Sequence, residues 1–101
     1  MTWLIYILFC DQKTYYVGLT GNLKKRIESH RKKQNIATKE YSTIKLVHVE
    51  KYNKRKEAEK REKQIKGWSR VKKKALIKGD IELLKKLSRN LELGDGVPDG
   101  K

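Results

Sequence analysis

Five polar side chains in this chain stand at positions where the surrounding pattern calls for inward residues: Tyr6, Tyr16, Arg26, His30 and Glu62. Tyr6 sits in one apolar run and Tyr16 in the next. If the chain turns at Asp11 to Lys13, the two runs become neighbouring strands about 4.8 Å apart, and two same-face rings can act on one small object. Arg26 stands one helical turn before His30, beside the face formed by Leu23, Ile27 and His30. Glu62 lies between Ala58 and Ile65 at spacings of four and three, which sets a carboxylate in an apolar seam. Such a group costs several kcal/mol unless it is paired or binds a cation.

Each of the five also has a structural reading. Tyr6 can be a core ring whose hydroxyl finds a carbonyl. Tyr16 follows Tyr15, so one of the two must face the other way. Arg26 on a basic helix can be a solvated group or a nonspecific phosphate contact. His30 can be a cap or a packed ring, and Glu62 can pair with a neighbouring lysine. The chain has no phosphate-cradling glycine loop with its lysine, no histidine pair at metal-ligand spacing and no nucleophile elbow.

The elements that must hold these residues are readable from pattern. Trp3 to Cys10 is apolar at nearly every position and rich in β-branched and aromatic residues, as in a strand covered on both faces and central in its sheet. Asp11 to Thr14 is the turn, and Tyr15 to Leu19 the partner strand, with Gly18 marking a place of close approach. Thr20 or Asn22 caps the helix that follows. Gln34 to Ser42 is a polar connection without pattern, and Thr43 to Tyr52, containing IKLVHV, is a third strand. Helix formers run from Asn53 until Gly67. Ser69 caps a short helix through Ile77, Gly79 stops it, and Asp80 caps a last one with Ile81, Leu84, Leu87 and Leu91 on one side. Residues 1–93 therefore read as a single domain, and Gly94 to Lys101, poor in apolar side chains, as a disordered tail.

Lysine and arginine number 26 against 12 acids, a formal charge of +14 and a pI near 10.0. That excess calls for an anionic partner, and nucleic acid is the usual one for a small domain. Lys24, Lys25, Arg31, Lys32 and Lys33 on the first helix, with Lys72, Lys73 and Lys74 further on, are the expected phosphate contacts. Cys10 is the sole cysteine, which rules out an intramolecular disulfide or a cysteine ligand set and points to a reducing, cytoplasmic setting. The eight apolar residues from Trp3 to Cys10 fall short of the about 20 needed to cross a bilayer, and neither membrane anchor nor signal peptide is expected.

Taken together, Leu4-Ile5-Tyr6, Tyr16-Val17-Gly18, Thr20-Gly21-Asn22-Leu23, Arg26, His30 and Glu62 in REKQIKGW resemble the GIY-YIG nucleases, and among them the small single-domain bacterial branch called YhbQ-like. The resemblance runs from Trp3 to about Ile77. It implies an α/β (α+β) domain with a small three-stranded antiparallel sheet flanked by helices, in the order strand-strand-helix-strand-helix-helix. It also implies a metal-dependent endonuclease that hydrolyses phosphodiester bonds of DNA with one divalent ion, Mg²⁺ or Mn²⁺, and no small-molecule cofactor. In that reading Glu62 holds the metal, Tyr6 is the general base toward water, Tyr16 orients water or phosphate, and Arg26 steadies the scissile phosphate. His30 shares a proton with Tyr6 or binds phosphate. Two departures stand out: the first motif reads Leu-Ile-Tyr in place of Gly-Ile-Tyr, and Lys72 to Lys74 occupy the region where many relatives carry an asparagine. Branched, nicked or single-stranded DNA are candidate substrates, RNA is the other nucleic acid to consider, and target choice would come from a protein partner or DNA shape. The alternative is a nucleic-acid-binding module of the same fold that does not cleave.

Overall fold

The computed structural model describes residues 2–35 and 38–90, with side chains through residue 87. Three strands, β1 (Trp3–Cys10), β2 (Thr14–Thr20) and β3 (Ile44–Tyr52), are joined with four helices, α1 (Leu23–Arg31), α2 (Arg55–Lys66), α3 (Arg70–Lys78) and α4 (Ile81–Asn90). The sheet is antiparallel in the order β2-β1-β3, so the apolar first run is its centre as expected. The strand and helix bounds differ from the sequence reading by only a residue or two; Leu91 and the 94–101 tail lie outside the described residues.

The hairpin forms because its turn accepts a left-handed backbone. Asp11 and Gln12 have φ of 50° and 56°, and Lys13 donates its N–H to the Cys10 carbonyl at 3.1 Å. Such turns match the twist of the strands they join. The Asp11 carboxylate also accepts the N–H groups of Ser42 and Thr43 at 2.8 and 2.7 Å, which ties the hairpin to the start of β3 and holds this carboxyl below its ordinary range.

The described residues divide into two compact units, one up to residue 62 and one from residue 63, with α2 carrying the chain from the first to the second. In the first unit, Ile5 to Leu8 have no exposure at all because both faces of β1 are covered. Side chains alternate between faces, so Tyr6, Leu8 and Cys10 share one, and Leu23 and Ile27 of α1, with Tyr16, Tyr41 and Ile44, pack against them. Trp3, Ile5 and Ile7 occupy the other, where Arg55 of α2 lies 5.0 Å from the Trp3 ring centre. In the second unit α3 packs on α4, and each begins at its expected cap: Ser69 accepts the Lys72 N–H at 3.2 Å, and Asp80 that of Leu83 at 3.1 Å. The face expected to be apolar on α4 is open at one end, with Ile81 56% exposed.

Candidate active site

The Tyr6 ring lies across the neighbouring strand. Its cross-strand partner is Gly18, and a methyl group built there would come within 2.7 Å of the Tyr6 Cε1 and nearer still to Cζ and Oη. Real carbon contacts sit at about 3.5–4.0 Å, so the hydrogen of glycine is what leaves room for the ring. The close approach expected at Gly18 is thus supplied from within the fold by the other motif's tyrosine.

On reaching over Gly18, the Tyr6 hydroxyl meets His30, with 2.9 Å between Oη and Nε2. Asn22 makes this possible by starting α1 where it does: its side chain accepts the Lys25 N–H at 3.1 Å, and two turns later His30 faces the sheet. Thr20 is no cap; its buried hydroxyl takes the Asn22 N–H at 3.0 Å and shapes the approach to the helix. Tyr16 closes a triangle of rings, its centroid 6.2 Å from Tyr6 and 5.2 Å from His30. The second nitrogen of His30, Nδ1, stands 2.6 Å from the Thr38 hydroxyl. Tyr6, His30 and Thr38 all have zero exposure.

Burial sets the charge state of this group. It pushes the Tyr6 hydroxyl well above its ordinary range, and the neighbouring Tyr16 adds to the rise, while the charge and hydrogen bond of the Arg26 guanidinium pull the other way. Burial, with the positive charge of Arg26, pushes His30 down. At neutral pH both partners are therefore uncharged, and a proton can pass between them only when the charge around them changes.

Of the five residues singled out from sequence, four are joined in one set of contacts: Tyr6, Tyr16, Arg26 and His30. Glu62 is placed by separate means. It is half-buried on α2 in the same seam as the fully buried Ala58 and Ile65. Its neighbour Arg61 grips Glu50 of β3 through Nε at 2.9 Å and Nη2 at 3.2 Å. The same carboxylate accepts the Tyr52 hydroxyl at 2.8 Å and lies 2.9 Å from His48 Nε2. Burial would raise the Glu50 pKa, yet hydrogen bonds from Arg61, His48 and Tyr52 and the Arg61 charge bring it down to about 2. This grip ties α2 to β3 one residue before Glu62.

Lys24, Lys25, Arg31, Lys32 and Lys33 are exposed, although Lys33 also donates its ammonium to the Tyr41 carbonyl. The second basic run differs from the solvent-facing stretch expected of it. Lys72 is only 5% exposed, with Nζ 4.4 Å from the Trp68 ring centre. Lys73 is half-buried, which lowers its pKa, and Lys74 alone of the three is exposed. The rotation of about 100° per helical residue turns consecutive lysines to different faces, and a flanking tryptophan supplies a cation–π partner for the inward one.

Two groups escaped the sequence reading. Thr38 fell in the patternless connection, and nothing local marks it. The Glu50 cluster carried a signal, since His48, Glu50 and Tyr52 alternate along β3 and so share one face of a half-covered strand.

These features define the class of protein: a small α+β domain in which two tyrosines, a histidine and an arginine gather where a hairpin meets the first helix. The chain belongs to the GIY-YIG family, the model of whose catalytic domain matches residues 2–75. It is similar to a UPF0213 protein of Syntrophus aciditrophicus, 42% identical over 80 residues that cover 77% of this chain and 92% of the relative. A UPF0213 protein of Staphylococcus aureus is 37% identical over 75 residues, covering 73% of this chain and 92% of that one. Among solved structures, the solution NMR structure of a UPF0213 protein from Bacillus halodurans aligns with a TM-score of 0.53 at 29% identity, over 77% of this chain and 84% of that one. The fold and the nuclease family are thereby set, and with the family a general association with nucleic acid.

Proposed function

We propose that this protein is a DNA endonuclease that hydrolyses phosphodiester bonds with the help of one divalent ion, Mg²⁺ or Mn²⁺, on branched, nicked or single-stranded substrates. The observation that carries the reading is the buried Tyr6–His30 hydrogen bond of 2.9 Å, with Arg26 acting on the same hydroxyl. A tyrosine packed only for stability needs one carbonyl acceptor. This one is given a titratable partner and a cation.

Tyr6 acts as the general base. Because its hydroxyl holds its proton firmly, it serves by relay: its oxygen takes a proton from the attacking water as its own passes to His30 Nε2. Tyr6 is neutral before and after, and His30 takes up the charge. Tyr16, whose ring meets both, orients the water or the phosphate. Arg26 holds the scissile phosphate and offsets the negative charge that grows on it, a task suited to a planar guanidinium. Among the described residues no group of three or more His, Cys, Asp or Glu is arranged to hold a metal. Glu62, half-buried in the inward seam of α2, fits an ion that keeps most of its ligands as water and phosphate oxygens, and is the residue to hold it. When bound, the ion would polarise the phosphate and stabilise the leaving oxygen.

The exposed Lys24, Lys25, Arg31, Lys32 and Lys33, with Lys74, supply the phosphate contacts that position DNA. Target choice comes from a protein partner or from DNA shape. A cytoplasmic setting accompanies this reading, in keeping with the free, buried Cys10. No described helix is long and apolar enough to cross a membrane.

Cleavage of labelled linear, nicked and branched DNA with Mg²⁺ or Mn²⁺ tests the reading, comparing wild type with Tyr6→Phe and Glu62→Ala. Cutting by wild type that vanishes in both variants, and on chelation, while DNA binding persists is the expected result. Salt-sensitive binding without cutting on any substrate would replace the nuclease with a binding module.

A further inference from the structure

The relay through His30 needs a bare nitrogen facing Tyr6, and the imidazole ring alone does not decide which nitrogen that is. A neutral ring carries one N–H and one lone pair. Its two hydrogen bonds must therefore run in one direction. Either Nδ1–H donates to Thr38 and Tyr6 donates to Nε2, or Thr38 donates to Nδ1 and Nε2–H donates to Tyr6.

Proton relay from Tyr6 requires the first arrangement: only when its hydroxyl donates to Nε2 is that nitrogen bare and able to receive the proton. The remaining proton of the ring then lies on Nδ1, 2.6 Å from Thr38 Oγ1. Thr38 is well placed to receive it, because its own backbone is tied at both ends of a turn: its N–H donates to the Asn35 carbonyl, and its carbonyl accepts the Tyr41 N–H, each at 3.1 Å.

We infer that Thr38 is a positioning residue for catalysis: its hydroxyl accepts the Nδ1–H of His30 and so fixes the tautomer whose bare Nε2 receives the proton of Tyr6. The inference rests on the nuclease reading, which chooses between the two arrangements that the 2.9 and 2.6 Å contacts allow. In the step it serves, water gives a proton to the Tyr6 oxygen as its electron pair forms the bond to phosphorus. The Tyr6 proton moves to Nε2, and His30 becomes an imidazolium that still donates Nδ1–H to Thr38. The dependence on a hydroxyl acceptor follows the general rule that the partner of one ring nitrogen decides the state of the other.

Long-range proton–nitrogen NMR of ¹⁵N-labelled protein at neutral pH reads the state of each ring, and the chain has only two histidines to assign, His30 and His48. In wild type and in Thr38→Ser, His30 is expected with its proton on Nδ1. In Thr38→Val, which keeps the shape and removes the acceptor, the proton should move toward Nε2 while the His48 signals stay in place. In single-turnover cleavage, Thr38→Val should cut about tenfold or more slowly at unchanged DNA affinity, and Thr38→Ser should restore the rate. A wild-type His30 protonated on Nε2, or a Thr38→Val that matches wild type in tautomer or in rate, overturns the inference. Should Thr38→Val fail to fold, the tautomer in wild type and Thr38→Ser still decides. Should wild type cut no DNA while its NMR shows the Nδ1–H ring, the nuclease reading fails, the catalytic role of Thr38 fails with it, and only the geometry stands.

Discussion

Gly18→Ala tests the central packing claim, that a missing side chain on β2 is what allows Tyr6 to reach its partner. The added methyl would stand 2.7 Å or less from three atoms of the Tyr6 side chain. Restoring ordinary contact requires the ring to retreat by about 1 Å. It has no easy retreat: Tyr6 is fully buried at the centre of the sheet, and its hydroxyl is held 2.9 Å from His30. Overpacking of this sort costs about 1–3 kcal/mol. Separating the hydroxyl from its buried partner adds about 1–3 kcal/mol, so the sum is about 2–6 kcal/mol, seen as a fall in Tm of about 10 °C or more. Urea and thermal unfolding followed by circular dichroism would measure it. Cleavage should fall about a hundredfold, as for a misplacement of about 1 Å at a reacting group. The same substitution made in a Tyr6→Ala background should cost almost nothing. A Gly18→Ala protein within about 0.5 kcal/mol of wild type, or an equal cost with and without the Tyr6 ring, would refute the reasoning.

Gly79 supplies the contrast, since its φ is 74° and a methyl there meets nothing within 4 Å. Gly79→Ala should therefore cost only the left-handed strain, about 1 kcal/mol, with the cleavage rate unchanged; a larger loss in urea unfolding would mean an unseen contact. Glu50, held at about 2 in the fold against an ordinary 4.5, adds stability that is complete above the unfolded value and is lost as pH falls from about 4.5 to about 2. Glu50→Gln should be less stable than wild type by about 2–3 kcal/mol at neutral pH, with the gap narrowing through that acid window; a gap independent of pH in urea titrations would count against the cluster. Neutralising Lys24 and Lys25 should reduce the slope of log affinity against log salt by about 1–2, and an unchanged slope would place the DNA footprint elsewhere.

Much of this architecture was legible from residue order because it depends on local chemistry. The central strand announced itself by an unbroken apolar run, the caps at Ser69 and Asp80 by side-chain oxygens ahead of helical spacing, and the cap of α1 as one of two, Thr20 or Asn22. Gly79 ended α3 for the same kind of reason, as a residue at ease with positive φ. Tyr6, Tyr16, Arg26 and His30 were marked by polar chemistry at inward positions and by the motif they share with the GIY-YIG family.

What the tertiary structure decided lies where two distant segments meet. Gly18 read as a place of close approach, but only the strand register shows that Tyr6 does the approaching. Lys72 read as one of a row of surface cations until the Trp68 ring turned it inward. Thr38 carried no signal at all, being one hydroxyl in a polar connection, and became part of the site because His30, eight residues earlier, points its second nitrogen there. Propensity, capping and period act over a few neighbouring residues and survive in the sequence as pattern. A hydrogen bond such as that between His30 and Thr38 also depends on how the sheet and α1 fix the ring, and that is set only when the chain has folded.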